Sequence, residues 1–144
     1  MAERVHQTLA NHTRLDPAYH LFLLPVAAVN LGVTIWNLIK TPGMGAAWYV
    51  VLAIAAAIAL LKIRLYPLKV QDRVIRLEER LRLSQLLAEP LRSRIGDLTE
   101  AQFIGLRFAS DAEVAPLVEK ALSGMTRGEI KKAISNWRPD YFRV

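Results

Sequence analysis

"LFLLPVAAVNLGVTIWNLIKTPGMGAAWYVVLAIAAAIALL", residues 21–61, carries one formal charge, Lys40. Leu21–Ile39 is 19 residues without a charge. At about 1.5 Å per residue a helix of that length reaches roughly 28 Å, close to the hydrocarbon thickness of a bilayer. Ala46–Leu61 is also uncharged, and its apolar character continues through Ile63 and Leu65 to Tyr66. Between them "KTPGMG", Lys40–Gly45, is short and turn-forming. The reading is an antiparallel transmembrane hairpin over 21–66, with spans at 21–39 and 46–66, preceded by an arm over 1–20. A pair of core helices in a water-soluble chain does not fit, because both segments are apolar all round and the rest of the chain is too short and polar to wrap them. A signal peptide does not fit either. About twenty residues precede the first span, and no small-residue cleavage site closes it.

The flanks agree with this placement. Lys62 and Arg64 would each cost about 3 kcal/mol at the bilayer centre, so they belong at the interface with their stems snorkelling outward. Trp36, Trp48, Tyr49 and Tyr66 stand near span ends, where amphipathic rings favour the headgroup level. Pro25 is tolerated near the start of a span. Ala53, Ala55, Ala56, Ala57 and Ala59 offer a small-residue surface for close helix approach. Asn30 is an intramembrane polar group, expected to hydrogen-bond across to a neighbouring helix.

The chain has 144 residues, a net charge of +6 and a mean hydropathy of +0.21. That charge is unevenly placed. Residues 62–94 hold nine Lys/Arg against four Asp/Glu, whereas 95–144 hold seven of each. A basic block beside an apolar run suits a bilayer with anionic headgroups better than nucleic acid, for which the charge would spread over a folded face. The inter-span loop has one basic residue and the amino-terminal arm two, Arg4 and Arg14. With the larger basic block after the second span, both termini are expected on the cytoplasmic side.

The block itself is written as a helix over 67–89, with Pro67 expected at its first turn or at a kink. Val70, Val74, Leu77 and Leu81 recur at steps of 4, 3 and 4, a heptad seam that fades at Ser84 and Ala88. Lys69, Arg73, Arg76 and Arg80 line one flank; Gln71, Glu78, Gln85 and Glu89 line the other. Asp72–Arg76 and Glu78–Arg82 are spaced for i,i+4 pairs. A thinner apolar line, Leu68, Ile75, Leu83 and Leu86, runs down the opposite side. Three neighbours compete for these faces: the carboxyl-terminal helices, a second copy in a parallel homodimer through 68–88, and anionic lipid met by Lys62, Arg64, Lys69, Arg73, Arg76 and Arg80.

Residues 90–144 read as a small helical tail, with capping boxes at Thr99–Gln102, Ser110–Glu113 and Thr126–Glu129. These open helices expected to run to about Ala109, to Ser123–Gly124, and to just before Arg138–Pro139. About fifty residues build too little core alone, so docking onto the basic helix is expected. "EKALSGMTRGEIKKAI" has a helix–turn–helix look, with Lys131 and Lys132 in its second helix, but the tail lacks the positive excess that DNA binding needs. The end "NWRPDYFRV" gathers Trp137, Tyr141 and Phe142 with Arg138 and Arg143; the helix core, the first expectation, the headgroup region and a partner protein are all open to it.

Motifs for chemistry are missing. With no cysteine, disulfides and Cys nucleophiles are excluded. His6, His12 and His20 stand six and eight apart, which does not set metal ligands on one helical face. No phosphate-binding glycine loop or nucleophile elbow occurs. Neither cofactor nor metal is expected.

Four blocks, "ANHTRLDPAYHLFLLP", "KIRLYPLKVQDRVIRLEERLRL", "LTEAQFIGLRFASDAEVAPLVEKAL" and "IKKAISNWRPDYFRV", carry a resemblance over nearly the whole chain. They resemble a bacterial family of short two-span membrane proteins, a domain of unknown function. The resemblance implies the topology and brings no activity or catalytic residue. The expectation is an all-α integral membrane protein of the bacterial inner (cytoplasmic) membrane. In it a two-helix transmembrane hairpin is followed by an amphipathic juxtamembrane helix and a small cytoplasmic helical bundle. It would be non-enzymatic, a scaffold or accessory subunit with a membrane-protein partner. A membrane-tethered nucleic-acid regulator and a small oligomeric transporter are the alternatives.

Overall fold

The computed structural model of the chain describes residues 7–11 and 15–141. Among them the fold is all-helical, with one isolated antiparallel bridge, Ala109 to Trp137, in place of any strand. A π-helical turn, Ala18–Leu23, leads into α1, Leu24–Lys40; α2 follows at Met44–Leu86. After a 3-10 turn, Arg92–Asp97, come α3, Glu100–Leu106, α4, Val114–Leu122, and α5, Arg127–Ala133. By contact the chain divides into two units, residues 15–68 and residues 7–11 with 69–141.

In the first of these units helix begins before the expected Leu21. Asp16 Oδ1 accepts the Tyr19 N–H at 3.2 Å, and the Asp16 carbonyl accepts the His20 N–H at 2.9 Å, closing the first turn. The widened π turn ends with the Leu24 N–H bonded to the Tyr19 carbonyl, just before Pro25, which has no N–H to offer. At the other end Thr41 turns the chain, its N–H and Oγ1 both donating to the Asn37 carbonyl at 2.9 Å. Half-buried positions then mark the face that each helix of the hairpin turns inward. On α1 they include Leu24, Ala27, Leu31, Thr34 and Leu38; on α2, Ala46, Val50, Ala57 and Leu60, with Ala53 fully buried. Steps of three and four keep these residues on one side of each helix.

That register corrects two expectations. Of the alanines, only Ala53 and Ala57 lie on the inward face; Ala55, Ala56 and Ala59 are exposed, because a 3.6-residue turn carries them off it. Asn30 is also exposed, beside Val26, Val29 and Val33, and makes no hydrogen bond across the hairpin. Its place one residue before inward-facing Leu31 swings the amide outward.

Pro67 does not open a new helix, the first of the two places expected for it. It lies inside α2, which runs from Met44 to Leu86 without a break. Proline removes a single backbone donor, and good helix formers on either side, Leu65 and Leu68 among them, carry the helix past it.

The second unit is a small bundle with its own core. Leu83 of α2 and Leu87, one residue past its end, pack with Phe103, Leu106, Phe108, Val118 and Ile130, all under 2% exposed. Two of the expected capping boxes form. Thr99 Oγ1 accepts the Gln102 N–H while Gln102 Oε1 accepts the Thr99 N–H, and Thr126 and Glu129 repeat the exchange. The box at Ser110 does not open a helix. α4 starts only at Val114, and the Glu113 carboxylate, which accepts the Ser110 N–H at 3.4 Å, also accepts the Ser135 and Asn136 N–H groups, each at 3.1 Å. α4 ends as expected at Gly124, whose φ of 105° suits a residue without Cβ. There the Met125 N–H reaches the Lys120 carbonyl and the Gly124 N–H the Ala121 carbonyl, a Schellman stop.

α3 and α5 are shorter than expected. Their downstream residues leave the helix to pair through the Ala109–Trp137 bridge, in which the Ser110 N–H donates to Asn136 O at 3.2 Å and the Arg138 N–H to Phe108 O at 2.7 Å. The bridge sets the Trp137 ring 5.1 Å from that of Phe108, which roots the terminal segment in the core.

Candidate interaction site

The candidate surface of the bundle is built on the second half of α2, Lys69–Leu86. Ile75, Glu79, Leu83 and Leu87 follow one another at steps of four, and all are buried. This is the thinner apolar line of the sequence, with Leu87 in place of Leu86 and a carboxylate in its middle. Leu86 itself is 41% exposed.

A buried carboxylate needs partners, and Glu79 has two. Arg82 Nη1 donates to Oε2 at 2.8 Å, and Arg138 Nη1 donates to Oε1 at 3.1 Å. Arg82 does more. Its Nε and Nη2 both donate to Asp111 Oδ1, at 2.9 and 2.7 Å, and Nη2 also donates to the Ala109 carbonyl at 2.7 Å. One guanidinium thus links α2, the α3–α4 connection and, through Glu79, the terminal segment. Beyond it the Arg107 Nη1 approaches Asp140 Oδ2 at 3.5 Å, and the Gln7 side-chain amide pairs with the Asp140 backbone in both directions, at 2.8 and 2.9 Å. The expected Glu78–Arg82 pair does not form, since Arg82 turns to Glu79 and Asp111 instead, and Asp72 and Arg76 form no ion pair among the described residues either.

Beside this network lies a cleft of about 630 Å³, lined by Gln71, Val74, Glu78, Glu79, Arg82 and Arg107 and by Arg138–Tyr141. Its charges largely cancel in the pairs just described. Among the described residues no group of three or more His, Asp or Glu could hold a metal ion.

The opposite face of α2 is open. Val70, Val74, Leu77 and Leu81 are 61, 47, 62 and 60% exposed, so the predicted seam has no cover among the described residues. Lys69, Arg73 and Arg76 are exposed on its flank, and Arg80 leans back over the Phe103 ring at 5.8 Å. In the hairpin unit the Arg64 guanidinium rests 5.8 Å from the Tyr19 ring, and Lys62 lies 5.9 Å from that of Tyr66.

Other candidate residues do not converge on a site. Lys131, which the sequence places in the second helix of the helix–turn–helix look, is 6% exposed with its ammonium 5.1 Å from the Phe108 ring, and α5 has only seven residues. A buried lysine on a helix of two turns offers little to phosphate. The His20 Nδ1 sits 2.8 Å from the Asp16 carbonyl, within its own turn. His6, His12, Phe142 and Arg143 lie outside the described residues.

Neither a curated protein nor a solved structure matches this chain. A family model does match, from residue 1 to residue 144, and the chain belongs to the Family of unknown function (DUF6526).

Proposed function

We propose that the protein is a non-enzymatic integral membrane protein of the bacterial inner membrane, a scaffold or accessory subunit that presents its helical bundle at the cytoplasmic face to a membrane-protein partner. One observation carries this reading. The apolar windows of Ala18–Lys40 and of α2 are 0% and 6% buried within the chain. A core helix of a soluble protein would hide those side chains; here Leu21, Val29, Ile39, Ile54 and Ile58 face outward. At about 25 cal/mol per Å², leaving such surface in water would be prohibitive, whereas lipid satisfies it without further protein. The basic excess after the second span supports termini on the cytoplasmic side.

Support for a binding role comes from the bundle. Glu79, Asp111, Glu113 and Asp140 are engaged in fixing the fold, and α2 keeps an open apolar face flanked by charge. Alkaline carbonate extraction of expressing membranes tests the anchoring. The chain is expected to stay in the pellet with integral proteins, and release into the supernatant would refute the reading.

A further inference from the structure

We propose that the open face of α2 pairs with the same face of a second copy of this chain, the two helices running parallel and in register. In that pairing Arg73 of each copy meets Glu78 of the other.

The bundle closes the intramolecular alternative. It occupies the Ile75–Glu79–Leu83–Leu87 side of α2 and leaves Val70, Val74, Leu77 and Leu81 uncovered on the other. Four large apolar side chains in consecutive a and d positions of a helix that already has its own bundle call for a second helix. The centre of the seam has β-branched Val74 at an a position and Leu77 at a d position, the combination that favours two parallel strands.

Charge identifies the occupant. Arg73 precedes the seam at a g position and Glu78 follows at an e position, five residues on. In a parallel pair in register, g of one helix faces the following e of the other, so this helix complements itself; an antiparallel pair would set Arg against Arg. Both side chains are available, since neither forms an ion pair among the described residues. Lipid is a poorer occupant. The flank with Glu78 and Glu89 would meet anionic headgroups with like charge. The parallel sense follows from the anchoring proposed above, because copies inserted by the same hairpin enter the membrane in the same direction.

The test uses the full chain in native membranes, where the absence of cysteine makes every introduced thiol unique. Val74→Cys and Leu77→Cys are compared with Asp72→Cys and Arg76→Cys, which lie off the seam, under mild oxidation. A disulfide-linked dimer is expected in several-fold higher yield at 74 and 77 than at 72 and 76. In the Leu77→Cys chain, Arg73→Glu or Glu78→Arg alone should lower that yield, and both together should restore it. Three results would overturn the proposal: equal yields at all positions, a thiol at position 77 that takes up maleimide yet does not dimerise, or a dominant adduct with a different protein. Because symmetric disulfides at both 74 and 77 report parallel pairing in register, this outcome is separable from the carbonate result, which reports on anchoring alone.

Discussion

Glu79 and Arg138, 59 positions apart in the chain, meet at 3.1 Å, and the carboxylate that joins them is buried in the face of α2 that carries the bundle. Arg82 completes its coordination from the same helix at 2.8 Å. Glu79→Ala removes the buried charge-assisted bonds from Arg82 and Arg138, though Arg82 keeps Asp111 and the Ala109 carbonyl, so it is expected to cost about 2 kcal/mol. Asp111, 67% exposed, binds the same guanidinium from the solvent side. Asp111→Ala should cost no more than about 1 kcal/mol. Denaturant unfolding of the full chain in detergent, followed by near-UV circular dichroism, separates the two. Equal losses would contradict the assignment of Glu79 as the anchor.

Close packing of α3 on α5 supplies a second expectation. A Cβ at Gly105 would lie 3.2 Å from Ile130 Cγ2 and 3.4 Å from the Arg127 carbonyl. Gly105→Val should therefore destabilise the bundle by about 1–3 kcal/mol through overpacking. Gly96, with nothing within 4 Å of its Cβ position, accepts alanine freely. Thermal unfolding of the two variants side by side checks this contrast.

The α5 capping box should respond to acid. Hydrogen bonds from the Thr126 backbone N–H first, and from its hydroxyl next, hold the Glu129 carboxyl below its ordinary pKa, with Lys132 adding attraction. A carboxyl depressed on folding contributes stability that is full above its unfolded pKa and is lost as pH falls through the folded value. The first turn of α5 should thus loosen in acid, below the usual carboxylate range. Glu129→Gln should flatten this dependence, as read by amide exchange at Thr126 and Glu129.

Asn30 gives an expectation of the opposite kind. Its amide makes no bond within the hairpin, so Asn30→Leu should leave the hairpin's thermal stability in micelles within about 0.5 kcal/mol. A large loss would mean that the side chain turns inward after all.

What can be read from residues alone follows their range of interaction. The two apolar segments, the capping boxes at Thr99 and Thr126 and the stop at Gly124 are local patterns, and each appears where its spacing puts it. Nothing in the sequence singles out Glu79, because its partner Arg138 lies in another element and no helical period reveals such a pair. The same blindness makes Ser110–Glu113 read as a helix start, when the Glu113 carboxylate bonds the distant Ser135 and Asn136 N–H groups as well as that of Ser110. The seam is visible as a heptad, but only the fold shows that the bundle takes the other side of α2. Asn30 is misread because mid-span depth says nothing about the direction a side chain takes around the helix.

The most direct test of the membrane placement is the sidedness of single thiols in the cysteine-free chain. With one cysteine at Thr41, in the turn between the spans, and another chain bearing one at Ser123, in the bundle, intact spheroplasts are treated with a membrane-impermeant maleimide. Labelling of position 41 from outside, with position 123 reached only in inside-out vesicles, is the expected result. Labelling of position 123 in intact spheroplasts would contradict it.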